Sequence, residues 1–108
     1  MRLTDKEMEV MALLWGSTEP MSITEIVRAS NNRTWQERSI FSIINRLMDK
    51  GVIMTCSIKP TNTRHARTFR PAITAEEYAI KCIVGLKQSG IKIDIDSLVK
   101  NLKKLKES

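Results

Sequence analysis

Apolar residues recur at the three- and four-residue spacing of amphipathic helices in five stretches of this 108-residue chain. The first helix is predicted over residues 5–15, with Gly16 as its stop, and a short second helix over residues 23–29. The third is predicted over about residues 36–50, with Gly51 as a left-handed stop. The apolar residues expected to face inward are Met8, Met11, Leu14 and Trp15 in the first helix, Ile26 and Val27 in the second, and Ile40, Ile43, Ile44, Leu47 and Met48 in the third.

Four helix starts carry a Ser or Thr that is followed three residues later by Glu. In such a capping box the hydroxyl and the carboxylate each accept a hydrogen bond from a backbone N–H that the helix itself leaves without a partner. The pattern therefore predicts where these helices begin. The four pairs are Thr4 with Glu7, Ser22 with Glu25, Thr34 with Glu37, and Thr74 with Glu77.

The period of the pattern changes after the third helix. Residues 52–58 are rich in β-branched side chains and are predicted as a strand. Residues 59–63 have a turn composition, and residues 66–70 are predicted to return as the second strand of a hairpin that Pro71 ends. Three helices followed by a two-stranded hairpin are the element order of a winged helix-turn-helix, which we assign to residues 1–73.

The net charge of +6 is concentrated in the middle of the chain. Residues 28–70 hold nine basic and two acidic side chains (+7), whereas residues 1–27 hold two and five (−3) and residues 71–108 hold seven and five (+2). A surface that binds a polyanion produces this pattern, and so does a solvated basic face without a partner. Charge alone leaves both interpretations open.

In a helix-turn-helix the second helix of the unit enters the major groove of DNA, and its early residues reach the base edges. That helix is the third one here, and its polar side lies opposite its apolar stripe. Arginine binds guanine through two hydrogen bonds, while serine and asparagine hydrogen-bond bases or phosphates. Arg46 and Lys50, near the far end, are expected to contact phosphates. The DNA contacts predicted in this helix are Arg38, Ser39, Phe41, Ser42, Asn45, Arg46 and Lys50.

Phe41 is unusual on this face because a large exposed aromatic side chain needs a reason to be there. One interpretation is that its ring contacts thymine methyl groups in the major groove. The other is that the ring leans back onto the protein's own second helix. The sequence leaves the two open.

The predicted hairpin carries further basic residues at Lys59, Arg64, His65 and Arg67. A wing in this fold lies along the sugar-phosphate backbone or an adjacent minor groove. Arg64 and Arg67 are therefore predicted to set affinity and its salt dependence rather than sequence choice.

Residues 74–108 are predicted to form two further helices, over 74–88 and 95–106, separated by Ser89 and Gly90. A helix as short as the last is marginal in water, so its apolar face requires a partner, either the fourth helix or a second copy of the chain. We favour a dimer, because DNA readers of this type pair to span two half-sites. The predicted dimer contacts are Tyr78, Cys82, Leu86, Ile95, Leu98, Val99, Leu102 and Leu105. The predicted fold is thus mainly α with a small β-hairpin: a winged helix-turn-helix followed by a short helical dimerisation region.

The residues argue against an enzyme, a metal site and a cofactor. No Gly-rich phosphate loop or cleft-forming carboxylate pair is recognisable, and no nucleophile stands beside His65. Cys56 and Cys82 match neither a disulfide framework nor a zinc spacing and are interpreted as buried reduced thiols, with a redox switch or an intermolecular disulfide as the alternatives. Asp94 and Asp96 are interpreted as helix-start residues rather than a metal pair.

No apolar stretch reaches the roughly 20 residues that span a bilayer, and the N-terminus shows no apolar signal region. We therefore expect a soluble cytoplasmic protein with no membrane contact.

Several motifs follow one another in an order that one family of repressors shares. Trp35 is followed by the polar pair Ser39 and Ser42, then by Asn-Arg-Leu at 45–47 and Lys-Gly at 50–51. This stretch resembles the recognition-helix signature of the penicillinase repressor family, which includes the methicillin-resistance and copper-transport repressors.

The resemblance extends to both sides of this helix. Residues 3–11 with Leu14 and Trp15 are similar to the family's first helix, and residues 66–78 to its wing exit and first dimerisation helix. The resemblance covers roughly residues 3–80. It implies a homodimer on a palindromic operator in double-stranded DNA, repressing genes for antibiotic or metal resistance or related stress responses.

The sequence also departs from the family. Glu37 stands where the family usually has Pro, Met8 where it has Trp, and Phe41 where it often has Lys or another polar residue. The tail resembles the first and last dimerisation helices with the intervening segment largely missing. It holds neither the Asn-Phe bond that is cut in the penicillinase branch nor the Cys-x-Cys motif of the copper branch. The inducer or sensor protease that the resemblance implies is therefore not identified.

The main hypothesis is a dimeric, sequence-specific transcriptional repressor. A hypothesis from a different class is a winged-helix protein–protein interaction module, or the partner of an antirepressor, without sequence-specific DNA binding. An exposed Phe41 beside Glu37 would suit the second hypothesis.

Overall fold

The computed structural model describes residues 2–60 and 65–107 of the chain. The chain forms two compact units, one over Arg2–Ala75 and the other from Glu76 onwards. The elements, in chain order, are α1 (Asp5–Gly16), β1 (Met21–Ser22), α2 (Ile23–Ala29), a 3₁₀ turn (Glu37–Ser39), α3 (Ile40–Asp49), β2 (Ile53–Pro60), β3 (His65–Pro71), α4 (Ala75–Gln88) and α5 (Ile95–Glu107).

The predicted winged-helix fold, mainly α with a small β part, is confirmed by this element order. The sheet, however, has a third strand that the sequence did not predict. The strand order is β1-β3-β2, and β1 pairs antiparallel with β3 through Met21 opposite Phe69 and Ser22 opposite Thr68. Because Ser22 is also the N-cap of α2, this pairing fixes the start of α2 at the base of the wing.

Two of the predicted capping boxes start α1 and α2. At α1 the Glu7 N–H donates to Thr4 Oγ1 (3.2 Å) while the Thr4 N–H donates to Glu7 Oε1 (2.9 Å). At α2 the same pair of bonds joins Ser22 and Glu25 at 3.2 and 2.9 Å. These bonds satisfy N–H groups that each helix leaves without a partner.

The predicted capping box between Thr34 and Glu37 is wrong. The Thr34 N–H donates to Glu9 Oε1 (3.0 Å) and its hydroxyl donates to Glu9 Oε2, so a carboxylate of α1 takes the place of Glu37. The third helix then begins as the 3₁₀ turn at Glu37, after an N-cap residue, Gln36, whose side chain makes no capping bond. Regular α-helix starts only at Ile40.

The core of the first unit lies between α1, α2, α3 and the inner face of the sheet. Its buried apolar residues include Val10, Met11, Leu14, Ile26, Trp35, Ile40, Ile43, Ile44, Leu47, Val52 and Phe69. The placement of Met48 in this core is wrong, because its side chain is 38% exposed. Gly51 ends the helix region with φ +73°, the left-handed conformation expected of it.

The helices from Ala75 onwards follow the predicted pattern closely. Gly90 has φ +87° and separates α4 from α5. Asp94 Oδ1 accepts hydrogen bonds from the N–H groups of Asp96 (3.0 Å) and Ser97 (3.3 Å). The interpretation of Asp94 as a helix-start residue is therefore confirmed.

Candidate nucleic-acid interface

The third helix presents two chemically different faces. Ile40, Ile43, Ile44 and Leu47 are buried on the inner face. The outer face consists of side chains that the sequence predicted as DNA contacts, and all but the half-buried Ser39 are exposed: Arg38, Ser39, Phe41, Ser42, Asn45 and Arg46. Arg38 and Ser39 belong to the 3₁₀ turn, so they stand at the N-terminal end of the element, where a recognition helix reads bases.

Phe41 lies at the boundary between two surface grooves and is 62% exposed. One groove, which we call the α2 groove, runs between α2 and the start of α3 and includes Arg28, Glu37 and Arg38. The other, which we call the sheet groove, runs between α3 and the sheet and includes Asn45, Met48, Thr55, Arg67 and Phe69. The ring therefore borders α2, yet most of its surface is open.

Lys50 and Arg46 face a buried carboxylate. Glu7 is fully buried; its Oε1 accepts a hydrogen bond from Lys50 Nζ, and its Oε2 lies 3.6 Å from Arg46 Nε. Lys50 Nζ also donates to the Arg2 carbonyl (2.9 Å). The predicted phosphate contact by Lys50 thus competes with two acceptors inside the chain, whereas the Arg46 side chain keeps 53% of its surface exposed.

The ionisation of Glu7 is set by opposing effects. Burial raises the pKa of this carboxyl, but hydrogen bonds from Lys50 and Thr4 and the positive charge of Lys50 outweigh burial and lower the pKa below its ordinary value. The sequence showed Glu7 only as a capping-box residue. No local signal revealed its pairing with Lys50, which lies 43 positions away.

Arg33 is a second basic residue that is engaged internally. Its guanidinium donates to the carbonyls of Val27 (3.3 Å), Ser30 (3.4 Å) and Trp35 (3.2 Å) and lies 5.0 Å from the centre of the Trp35 ring. It thus satisfies carbonyls at the end of α2 and fixes the turn that leads to α3. Part of the +7 charge of residues 28–70 therefore stabilises the fold.

The wing contributes Arg67 to this surface. Arg67, in β3, is exposed and lines the sheet groove together with Phe41. Arg64 and the side chains of Lys59 and His65 lie outside the described residues.

The two C-terminal helices expose apolar side chains. Of the predicted dimer residues, Tyr78 is buried, Cys82 and Leu98 are half-buried, and the others are exposed: Leu86, Ile95, Val99, Leu102 and Leu105. On α4, Ile80 and Val84 are also exposed, although they were not among the predicted contacts.

Within residues 2–60 and 65–107, no group of three or more His, Cys, Asp or Glu side chains is arranged to hold a metal ion. In the same part of the chain, no helix is both long enough and apolar enough to cross a membrane.

Comparison with known proteins gives one family and a set of structural neighbours. The model of the penicillinase repressor family matches residues 3–107, whereas no curated protein matches the chain. The ferric uptake regulator Fur of Helicobacter pylori, described with three functional metal-binding sites, is similar over 87% of this chain and 73% of its own, with 15% identity and a TM-score of 0.53.

A second neighbour is PerR of Streptococcus pyogenes, described as a peroxide sensor and gene regulator. It is similar over 66% of this chain, with 18% identity and a TM-score of 0.51, and this chain spans about half (48%) of its length. At such identities the neighbours establish the fold alone.

The matching family is one of transcriptional repressors, and the match takes in the winged-helix unit and both C-terminal helices. The chain therefore belongs to the penicillinase repressor family of transcriptional regulators, and its fold is a winged helix.

Proposed function

We propose that the protein is a dimeric repressor that places α3 in the major groove of a palindromic operator. The observation that carries the proposal is the division of α3 into a buried apolar face and an exposed face with Ser42 and Asn45, next to the exposed Arg38 of the preceding 3₁₀ turn. An α-helix fits the major groove, and these side-chain types read base edges there. The basic side chains around that face supply the sequence-independent attraction to phosphates.

The predicted contacts divide into base readers and backbone contacts. Arg38, Ser39, Ser42 and Asn45 stand on the first turns and the outer face of the helix region, so we assign them to the bases. Arg46 and Arg67 are exposed further along the surface, and we assign them, together with Arg64, to the phosphates. We assign Lys50 to positioning α3 through Glu7 rather than to a phosphate.

Dimerisation is supported by the exposed apolar side chains of α4 and α5. In α5, Ile95, Val99 and Leu102 recur at spacings of four and three and are 46%, 42% and 52% exposed. A helix with one apolar face that the monomer leaves in water gains stability when a second copy covers it. A twofold dimer would bind two half-sites whose centres lie about 34–36 Å apart, or a multiple of that distance.

The regulated genes and the release step follow from the family and not from the geometry. We propose that the protein acts in the cytoplasm on antibiotic-resistance, metal-resistance or stress genes. An inducer or a sensor protease would relieve the repression. The described residues supply no cleavage motif or metal cluster for that step.

Selection of bound sites from a random DNA library tests the main proposal. We expect an enriched palindrome whose affinity falls steeply with salt. Arg38→Ala and Ser42→Ala should relax base preference, Arg67→Ala should weaken all DNA similarly, and Lys100→Ala, an exposed cation on α5, serves as the matched control. The absence of any enriched motif would remove the sequence-specific claim.

A second candidate function is a winged-helix protein–protein interaction module, or the partner of an antirepressor, without sequence-specific DNA binding. It is favoured by the 62% exposure of Phe41, an aromatic side chain that a protein partner would cover. In this case a gel shift on mixed genomic fragments at low and moderate salt would show no fragment that the folded protein binds in preference to the others. The two candidates therefore predict opposite outcomes of one simple assay.

A further inference from the structure

The outer face of α3 carries an apolar side chain in the midst of polar ones. Phe41 is 62% exposed, and it stands between Arg38 and Asn45 on the face that we assign to DNA. Removing an exposed aromatic ring from water stabilises whatever covers it, because burial of apolar surface is favourable. The question is what chemistry covers the ring.

The charges around Phe41 point to a polyanion rather than to an apolar partner. Arg28 and Arg38 line the α2 groove on one side of the ring, and Arg67 lines the sheet groove on the other. Glu37 is the one carboxylate among the described side chains that line either groove. A partner that covers the ring must therefore accept cations on both sides of it, which the two phosphate backbones that flank a DNA groove do.

A major groove offers few apolar groups to such a ring. Among the base edges exposed there, guanine, adenine and cytosine present hydrogen-bond donors and acceptors, and thymine alone adds a methyl group at C5. A ring that faced only donors and acceptors would leave them without partners and would weaken binding. The favourable contact for Phe41 is therefore the thymine methyl group.

We propose that Phe41 reads thymine through its C5-methyl group, so that each half-site holds a thymine at the position that faces this ring. The inference rests on the proposed DNA binding and deepens it, because it assigns one base of the operator to one side chain. It also gives a function to the residue that departs most from its polar neighbours.

Deoxyuridine isolates this contact, because it pairs like thymine and lacks only the methyl group. Starting from the operator selected in vitro, each thymine in turn is replaced by deoxyuridine, and the Kd is measured by fluorescence anisotropy. We expect one position per half-site at which the loss of the methyl weakens wild-type binding roughly fourfold, the effect of burying about one methyl group.

Protein variants then tie that position to Phe41. Phe41→Ala should bind the thymine and deoxyuridine operators equally, and Phe41→Leu should keep part of the discrimination. Met54→Ala, the control, also removes an exposed apolar side chain. Its neighbour Thr55 lines the sheet groove. Because neighbouring residues of a strand point to opposite faces, Met54 points away from that groove. It should discriminate like wild type. Thermal melts verify that each variant is folded.

A rescue separates methyl recognition from recognition of the base pair. Cytosine at the same position should bind weakly, and 5-methylcytosine, which restores the methyl group, should recover part of the affinity in wild type and none in Phe41→Ala. Suppose that an operator is selected and no deoxyuridine substitution weakens binding by the wild type, or that deoxyuridine weakens binding by Phe41→Ala as much as binding by the wild type. Either result overturns this inference while the proposed function stands. If no operator is selected, both are overturned.

Discussion

The carboxylate of Glu7, in the first turn of α1, forms an ion pair with the ammonium group of Lys50, the residue that caps the end of α3. The two residues are 43 positions apart in the sequence, and their pair joins α1 to the end of α3. Because Arg46 lies 3.6 Å from the same carboxylate, two basic residues, one in α3 and one at its C-cap, face α1. The orientation of α3 is therefore coupled to the charge of one buried group.

Acid should weaken this coupling. The pKa of Glu7 is lowered in the folded protein, so its ionised form contributes stability that is present at neutral pH and is lost as the pH falls below about 4. We expect the difference in unfolding free energy between wild type and Glu7→Gln to shrink in urea titrations from pH 7 to pH 3.5. Glu76→Gln, at an exposed site, is the control, and a difference that stays constant with pH would contradict the prediction.

Removing Lys50 should destabilise the fold without removing a DNA contact. Lys50→Ala leaves the Glu7 carboxylate buried without its main partner, for which we expect a loss of about 3 kcal/mol in unfolding free energy. The slope of log Kd against log salt should stay as in wild type, whereas Arg67→Ala should reduce it by about one. A reduced slope for Lys50→Ala would return Lys50 to the phosphate contacts.

Most helices of the protein are predictable from the sequence because their signals are local. The capping boxes at Thr4 and Ser22 and the left-handed Gly51 act over a few positions, and each behaves in the structure as its pattern indicates. The strand β1 was missed because two residues carry no periodicity. It exists only through its pairing with β3, more than forty positions further along the chain.

The wrong predictions for Thr34 and Met48 have the same cause as the missed strand, because all three depend on contacts with distant parts of the chain. Thr34 had a suitable Glu three residues ahead, yet Glu9, 25 positions away, provides its acceptors. Met48 stands at the edge of the apolar stripe, about 80° from Ile40 on a helical projection, so its exposure depends on whether another element covers it. The outer face of α3 was predictable, but which of the neighbouring cations form contacts within the fold was not.

Arg33 is one of the cations that form contacts within the fold, and the contribution of these contacts to stability can be measured. Arg33→Ala removes hydrogen bonds to three carbonyls and the contact with the Trp35 ring, for which we expect a loss of roughly 1–2 kcal/mol in unfolding free energy. Arg28→Ala, at an exposed position of α2, should change stability little. Equal stability of the two variants in urea unfolding would show that the Arg33 contacts contribute nothing measurable.

Glu37 should oppose DNA binding, because its exposed carboxylate lines the α2 groove without the capping role that the sequence suggested. We expect Glu37→Gln to bind operator DNA about two- to fivefold more tightly at low salt, the gain from removing one like charge near phosphates. The gain should shrink as salt screens the repulsion. Glu19→Gln, in an exposed loop, is the control.

If Glu37→Gln instead binds operator DNA more weakly than the wild type, the Glu37 carboxylate makes a favourable contact with the DNA. Carboxylates accept hydrogen bonds from the amino group of cytosine in the major groove. A loss of affinity confined to operators with cytosine at one position would make Glu37 a base reader. Unchanged affinity for all DNA would place its carboxylate outside the interface.

The dimer proposal makes its sharpest prediction on α5. Leu102 is 52% exposed among apolar neighbours, and Leu102→Lys places a charge on the face that we propose a second copy covers. In sedimentation experiments on the full chain, we expect a dimer for wild type and at least tenfold weaker association for Leu102→Lys, because a charge left unpaired in an apolar contact costs more than 1.4 kcal/mol, the equivalent of about tenfold.

The neighbouring residue provides the matched control. Asn101→Lys introduces the same charge one position earlier on α5, on the polar side of the helix, and should leave the dimer intact. Operator affinity should fall with dimerisation for Leu102→Lys, because a monomer binds one half-site and loses the contribution of the second. A dimer that persists in Leu102→Lys would locate the contact elsewhere in the chain, and the apolar face of α5 would then need a different partner.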